Sequence, residues 1–149
     1  MATPAPSSAA PGSIPASARR RVLIVEDNPL NMKLFAAMIA SQGYEVLEAI
    51  DGLGGLDLAH RQHPDLIIMD IQLPGMSGLD VTHSLKADAD TRDIPVIATT
   101  AYALRGDEER IRESGCDGYM AKPIAISEFL DLVRSFMTGS RAAPPHYVA

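Results

Sequence analysis

The pattern of apolar residues is clearest at Leu66–Met69, a continuous run that leads directly into Asp70 and is followed by the turn residues Pro74 and Gly75. A short apolar run bounded by turn signals is typical of a strand buried on both faces, although periodicity alone leaves a short helix open. An ionised carboxylate at the end of such a strand costs free energy unless it is paired, hydrated or bound to a metal. The chemistry of this segment therefore depends on what Asp70 faces, and a turn or capping aspartate is the simplest alternative.

Other short apolar segments predict four more strands, and a helix is predicted after each strand. Apolar residues at helical spacing indicate four of these helices, and the one at 105–114 is nearly all polar. These further strands span residues 22–25, 44–49, 94–100 and 117–121. The helices begin at Pro29, at Gly52, close to Leu79, at residue 105 and at Ile126. Strands that alternate with helices across short loops predict an α/β protein with a parallel sheet, helices on both faces and right-handed crossovers.

The predicted helices differ in how much apolar surface they carry. Asn28 is the predicted N-cap of the first helix, with Pro29 as its first residue. The helix at 105–114 has Ile111 as its only large apolar residue, so we expect it to be among the least stable elements. The other helices should turn apolar stripes to the core, consisting of Leu30, Leu34, Phe35, Met38 and Ile39 in the first, Leu53, Leu56 and Ala59 in the second, Leu79, Val81 and Leu85 in the third, and Ile126, Phe129, Leu130, Val133, Phe136 and Met137 in the last.

Composition limits the class of protein. The chain has 149 residues, of which 46% are hydrophobic and 21% charged, as expected for one soluble domain with a single core. We expect this domain to span residues 21–138, between a disordered tail rich in Ala, Pro and Ser at 1–20 and a flexible tail at 139–149 that contains too little to form another element. The N-terminal tail lacks the apolar central run of a signal peptide.

Charge and cysteine content limit which classes of partner and which cellular compartment we expect. The net charge of −6 and a pI near 5.1 argue against a general affinity for nucleic acid or anionic lipid. No apolar run approaches the ~20 residues that cross a bilayer, so no membrane insertion is expected. Cys116 is the only cysteine, which excludes an internal disulfide and suits a reducing cytosol. A buried, unreactive thiol is the simplest role for it.

Polar residues with related chemistry follow the predicted strands at the points where they end. In sheets of this kind, ligands bind beyond the carboxyl ends of the strands, near the point where the strand order reverses. Acids held close together repel one another unless a divalent cation lies among them, and oxygen ligands of this kind suit Mg²⁺. Each residue alone has an ordinary explanation as a turn, strand-end or solvated residue, so the prediction rests on their joint arrangement. The residues at these ends are Glu26 and Asp27, Asp70, Thr99 and Thr100, and Lys122 followed by Pro123.

Such a cluster fits the transfer of a phosphoryl group to a carboxylate. A carboxylate can act as a nucleophile and form an aspartyl phosphate. The transfer needs mainly positioning and neutralisation of the phosphoryl oxygens, which a metal ion and a lysine supply. Asp70 would then be the acceptor, between the cation and Lys122, with the Thr100 hydroxyl donating to a phosphoryl oxygen.

Over residues 21–138 the chain resembles the receiver domain of two-component response regulators. The resemblance is carried by Val25–Asn28, Met69–Pro74, Thr99–Ala101 and Lys122–Pro123, and by the spacing between them. It implies a doubly wound (βα)5 fold of the flavodoxin-like or CheY-like type, with a five-stranded parallel sheet in the order 2-1-3-4-5. The segment Gly106–Arg112 and the cysteine before the fifth strand are especially similar to a single-domain regulator of the bacterial cell cycle.

The resemblance also implies a role for each site residue. Asp70 would accept a phosphoryl group from a histidine kinase or a phosphotransfer protein. Lys122 would pair with that group, and its bond to Pro123 would be cis. The Mg²⁺ ion would be held by Glu26, Asp27, Asp70 and the main-chain carbonyl of Gln72.

Two residues match the switch of this family. Thr100 would move towards the phosphoryl group, and the ring of Tyr119 would turn inward. Gln72 and Tyr102 occupy variable positions that, in the family, influence how fast the phosphoryl group is lost. The protein would be a cytoplasmic relay component that promotes its own phosphorylation and dephosphorylation rather than an enzyme. It would signal to a downstream regulatory protein through the 105–114 helix, the fifth strand and the last helix.

The sequence leaves three other classes of protein open. A phosphatase or phosphotransferase of the haloacid-dehalogenase type would place a second acid two residues after the nucleophile, where this chain has Gln72. A flavodoxin-like flavin or nucleotide binder would need G-x-G-x-x-G, but the segment that starts at Gly52 has Asp57 in place of the last glycine. A receiver-like domain that works without phosphorylation would have no need of the complete set of acids, hydroxyl and lysine.

Overall fold

The computed structural model of the chain describes residues 19–101, 107–138 and 147–148. Its strands are β1 (Arg21–Val25), β2 (Glu45–Ala49), β3 (Leu66–Asp70), β4 (Val96–Thr100), β5 (Gly118–Ala121) and β6 (Tyr147–Val148). They form one parallel sheet in the order β2-β1-β3-β4-β5-β6, which confirms the predicted order 2-1-3-4-5 for the first five. Most of the tail predicted at 1–20, Tyr102, and residues 139–146 lie outside the described residues.

The described helices alternate with the first five strands as predicted. They are α1 (Pro29–Ala40), α2 (Gly52–Gln62), α3 (Gly78–Ala87), α4 (Asp107–Glu113) and α5 (Ile126–Met137). The predicted start of the fourth helix at residue 105 falls outside the described residues. Among the residues that are described, no helix has both the length and the apolar character required to span a bilayer.

The central strands are buried on both faces because their side chains alternate between two apolar cores. Every residue of β3 and β4 is buried. Ile67 and Met69 pack into the core shared with α2, α3 and α4, whereas Leu66 and Ile68 pack into the core shared with α1 and α5. The run that ends in Asp70 is therefore a fully buried strand, and the short helix that periodicity left open is excluded.

The first helix is capped as predicted but turns a different side to the sheet. The side chain of Asn28 accepts a hydrogen bond from the Asn31 N–H at 3.0 Å, and Pro29 is the first helical residue. Leu30 and Leu34 are 75% and 50% exposed, so their predicted place in the core was wrong. At 3.6 residues per turn Leu34 lies about 100° around the helix from Phe35, and α1 is apolar at both positions, so spacing alone does not show which stripe is buried. The buried residues of α1 are Met32, Phe35, Met38 and Ile39.

Two other predicted core residues are also on the surface. Leu53 is 72% exposed, because α2 approaches the sheet through the small residues Gly55 and Ala59 on its other side. Ile126 is 56% exposed and is the first residue of α5, ahead of the turns that pack. The exposed apolar side chains therefore lie next to the carboxyl ends of the strands, where α2 and α5 begin.

The C-terminal end of the chain contributes a strand that the sequence does not predict. Tyr147 and Val148 pair in parallel with Tyr119 and Met120 of β5. The prediction that residues 139–149 form no further element was wrong. Pairing at a sheet edge uses main-chain N–H and C=O groups that every residue except proline carries, so no side-chain pattern announces it.

Candidate functional site

Strand register brings the predicted strand ends to one edge of the sheet. Asp70 pairs with Thr99, the residue before Thr100, and β4 and β5 end side by side. The last residue of β1 pairs with the residue before Asp70. Glu26 follows β1 directly and Lys122 follows β5 directly. Residues far apart in the chain are therefore brought together by the sheet itself.

Lys122 connects the two buried acids of this cluster. Its Nζ donates a hydrogen bond to Oε1 of Glu26 at 3.2 Å and lies 3.4 Å from Oδ2 of Asp70. The other oxygen of Asp70, Oδ1, accepts a hydrogen bond from the main-chain N–H of Gln72 at 3.0 Å. The bond between Lys122 and Pro123 is cis, as the resemblance implies. Asp70 is thus held from two sides, by an ammonium group and by a main-chain N–H.

Glu26, Asp27 and Asp70 form an acidic cluster in which one oxygen of each lies within 4.8 Å of the others. Glu26 and Asp70 are 1% and 3% exposed, whereas Asp27 is exposed. Burial, and next the negative charge of Glu26, raise the pKa of Asp70 from 3.8 to about 6, although Lys122 opposes the shift. One ammonium group does not balance three acids, and the donors are all hard oxygens, so the cluster fits Mg²⁺.

Gln72 joins the acceptor strand to the end of β4. Its Nε2 donates a hydrogen bond to Oγ1 of Thr100 at 3.1 Å, and its Oε1 accepts one from the main-chain N–H of Ala101 at 3.2 Å. Thr100 is 1% exposed, and its carbonyl accepts from the Lys122 N–H at 2.7 Å. The side-chain role of Gln72 was not predicted, because it depends on rotamers. The ligand role of its main-chain carbonyl stays a prediction.

Gly78 supports the acceptor and was missed by the sequence analysis. A Cβ at this position would lie 2.1 Å from the main-chain oxygen of Asp70, so a side chain cannot fit unless the acceptor strand moves. The N–H of Gly78 also donates to the carbonyl of Ile71 at 2.9 Å. The only signal in the sequence is a glycine at the predicted start of a helix, where glycine is otherwise unfavourable.

Tyr119, the predicted switch aromatic, lies in β5 beside Ala98 of β4. It is 5% exposed and belongs to the core that also contains Ile111 of α4 and Cys116. Its ring is therefore packed inside the protein. Cys116 is buried as well, and burial raises the pKa of its thiol, in agreement with an unreactive core cysteine.

The glycines at the start of α2 have a packing role that argues against a nucleotide or flavin loop. A Cβ on Gly52 would lie 2.7 Å from Cγ2 of Val81, and one on Gly55 would lie 2.9 Å from Cγ2 of Val25. Both glycines thus let α2 approach its neighbours closely. A phosphate-binding loop would instead need glycines whose main chain faces the ligand.

Comparison with known proteins identifies the family. The model of the response regulator receiver domain matches residues 22–134, and the chain belongs to this family. It is similar to the polar-differentiation response regulator DivK of Brucella ovis, with 55% identity over 118 residues that cover 79% of this chain and 96% of that protein. DivK of Brucella anthropi is 54% identical over the same length.

Solved structures agree with this assignment. The receiver domain of a sensor histidine kinase from Pseudomonas aeruginosa is 37% identical, with a TM-score of 0.76 over 81% of this chain and 99% of that one. That crystal structure has a magnesium ion coordinated in its active-site cleft. The chemotaxis protein CheY4 of Vibrio cholerae has a TM-score of 0.75 at 24% identity, over 80% of this chain and 99% of that one, and so shows the shared fold.

Proposed function

We propose that this protein is a single-domain response regulator whose Asp70 accepts a phosphoryl group from a histidine kinase or a phosphotransfer protein. One observation carries the proposal: a buried strand presents Asp70 to the ammonium group of Lys122, 3.4 Å away, inside an acidic cluster. A carboxylate placed only for stability would not need two further acids beside it, because each adds repulsion.

Glu26, Asp27, Asp70 and the main-chain carbonyl of Gln72 would hold Mg²⁺. The ion, when bound, would neutralise part of the charge on the phosphoryl oxygens. This set consists of oxygen donors only, and the related receiver domain from Pseudomonas aeruginosa has magnesium in its cleft.

The protein's own residues then carry out the transfer. One carboxylate oxygen of Asp70 forms a bond to phosphorus as the bond between phosphorus and the donor's imidazole nitrogen breaks. Lys122 stays beside the acceptor and stabilises the added negative charge. The hydroxyl of Thr100 then turns from its present partners to donate to a phosphoryl oxygen. Water later attacks the phosphorus of the acyl phosphate, the bond between phosphorus and the Asp70 oxygen breaks, and inorganic phosphate leaves, which restores the carboxylate. In this proposal the protein promotes its own phosphorylation and dephosphorylation without acting on a separate substrate.

The output of the switch is a protein–protein contact. Tyr119 connects β5 to the core of α4, so a change near Thr100 can reach the surface formed by α4, β5 and α5. We place the downstream regulatory protein on that surface. The net charge of −6 gives no support for a nucleic-acid target. Similarity to the polar-differentiation response regulator DivK supports a role in polar differentiation. That this role is cytoplasmic and belongs to control of the cell cycle is part of our proposal.

Phosphorylation by a small donor tests the proposal directly. Incubation with acetyl phosphate and Mg²⁺ should add one phosphoryl group, seen by intact-mass spectrometry, and EDTA should prevent it. Asp70→Asn should abolish the addition. Asp93→Asn should not, because Asp93 is an exposed acid before β4, at the other end of the sheet. An Asp70→Asn protein that still gains the phosphoryl group would show that the acceptor is another residue.

A further inference from the structure

The carboxamide of Gln72 forms hydrogen bonds with two groups at the end of β4, the Thr100 hydroxyl and the Ala101 N–H. Ala101 N–H can only donate, so the amide oxygen of Gln72 must face it and the NH₂ must face the Thr100 hydroxyl, which fixes the amide orientation. The main-chain N–H of the same residue donates to Asp70. One residue therefore contacts both the acceptor carboxylate and the segment that follows the switch threonine.

We propose that Gln72 is a positioning residue that holds the Thr100 hydroxyl, which accepts from its NH₂, in the unphosphorylated arrangement and competes with the phosphoryl group for the Ala101 N–H. This inference rests on the proposed function. A phosphoryl group on Asp70 brings three strongly accepting oxygens next to these donors. Charge-assisted hydrogen bonds are about twice as strong as neutral ones, so the phosphoryl oxygens displace the neutral amide oxygen of Gln72.

The structure also limits which groups can move when Gln72 releases the Thr100 hydroxyl and the Ala101 N–H. The carbonyl of Thr100 accepts from the Lys122 N–H at 2.7 Å, and β4 is paired with β5 up to this residue. The main chain of Thr100 is therefore held by the sheet. Release of Gln72 therefore affects the hydroxyl of Thr100 and the N–H of Ala101. Gln72 thus couples the acceptor to the end of β4.

The two hydrogen bonds made by the Gln72 side chain are weak enough to break and form again reversibly. The side chain of Gln72 is exposed, and its two hydrogen bonds are neutral. Neutral hydrogen bonds of this kind have a modest net contribution, so their loss should change an equilibrium by roughly three- to tenfold. Gln72 therefore biases the switch towards the unphosphorylated arrangement and does not lock it.

Two substitutions at this position should act in opposite directions. Gln72→Met keeps the length of the side chain but has no amide, so it removes the competition. Gln72→Glu retains an acceptor for Ala101 N–H, strengthens it with a negative charge, and repels an incoming anion. Both keep the main-chain groups of residue 72. Gln42→Met, in the turn after α1, is the matched control for a glutamine-to-methionine change.

Titration with beryllium fluoride and Mg²⁺, a probe that mimics the phosphoryl group, tests the proposal on the full chain. NMR of the unphosphorylated protein should show a shifted and faster-exchanging Ala101 amide in Gln72→Met, with no change in Gln42→Met. Half-saturation should need roughly three- to tenfold less probe in Gln72→Met and more in Gln72→Glu. If wild type binds the probe and Gln72→Met binds it equally well or less well, the competition is overturned. If wild type does not bind it at all, the proposed function fails as well.

Discussion

Asp70 carries its charge where the folded protein disfavours it. Burial and the charge of Glu26 raise its pKa from 3.8 to about 6, and each pKa unit corresponds to about 1.4 kcal/mol. Well above pH 6, ionised Asp70 therefore destabilises the fold by about 3 kcal/mol relative to an exposed aspartate. Because the folded pKa is the higher one, the contribution of this group to stability is greatest below about pH 4 and is lost as the pH rises through about 6.

Asp70→Asn removes this charge while it keeps an oxygen that can accept from the Gln72 N–H. Lys122 retains Glu26 as a partner. In chelator at pH 7.5 we expect the free energy of unfolding to rise by about 1–3 kcal/mol, and the gain should vanish near pH 4. Urea denaturation at both pH values measures the difference, with Asp93→Asn as the control for loss of an exposed carboxylate.

Magnesium provides the second half of this test. Binding to the folded state alone stabilises it, so Mg²⁺ should raise the urea midpoint of the wild type. Asp70→Asn should respond much less, since it lacks one of the three acids of the cluster. If Asp70→Asn is less stable than the wild type in chelator at pH 7.5, the reasoning that ionised Asp70 costs stability is wrong.

Three further changes test other contacts. Gly78→Ala should lower the free energy of unfolding by about 1–3 kcal/mol in urea, because the new Cβ would lie 2.1 Å from the main-chain oxygen of Asp70. Lys122→Met should raise the pKa of Asp70 above about 6, since the lysine lowers it, as a carboxyl NMR titration in chelator measures. Lys86→Met should destabilise by about 2 kcal/mol in urea, because Nζ of Lys86 lies 3.0 Å from Oδ2 of the partly buried Asp117.

Matched controls separate these effects from general damage. Gly75→Ala places a methyl group in open space at a φ of 76°, so it serves as a control for backbone strain without a clash and not as a neutral glycine replacement. Lys33→Met removes an exposed lysine of α1 and should have little effect. If Gly78→Ala is as stable as the wild type, or Lys86→Met no less stable than Lys33→Met, the corresponding contact does not stabilise the fold.

The strand ends could be predicted because they follow from local patterns and one rule of topology. Glu26, Asp70, Thr100 and Lys122 each come at the end of a short apolar run. Parallel strands place such ends at the same edge. A side chain that bridges two loops, as that of Gln72 does, depends on rotamers and loop geometry, which the residue type does not determine. The same holds for Gly78, whose role appears only when α3 lies against β3.

Burial on the helices was harder to predict than the convergence of the strand ends. On α1, two apolar stripes have helical spacing, and only the packing of the helix on the sheet decides between Leu34 and Phe35. On α2, the sheet is approached through glycine and alanine, so the large residue Leu53 stays outside. Hydrophobic size favours burial, but close approach of a helix requires small residues.

The two edges of the sheet discourage pairing with a strand of another molecule in different ways. At one edge the outermost described strand is β6, which pairs with Tyr119 and Met120 of β5 and is only two residues long, too short to template a further strand. On the opposite side β2 is the outermost described strand, and it carries the exposed acids Glu45 and Glu48. Charged residues on an outer strand discourage pairing with a second molecule. At high concentration, a neighbouring copy therefore meets a two-residue strand at one edge and carboxylates at the other, and the sheet resists growth from molecule to molecule.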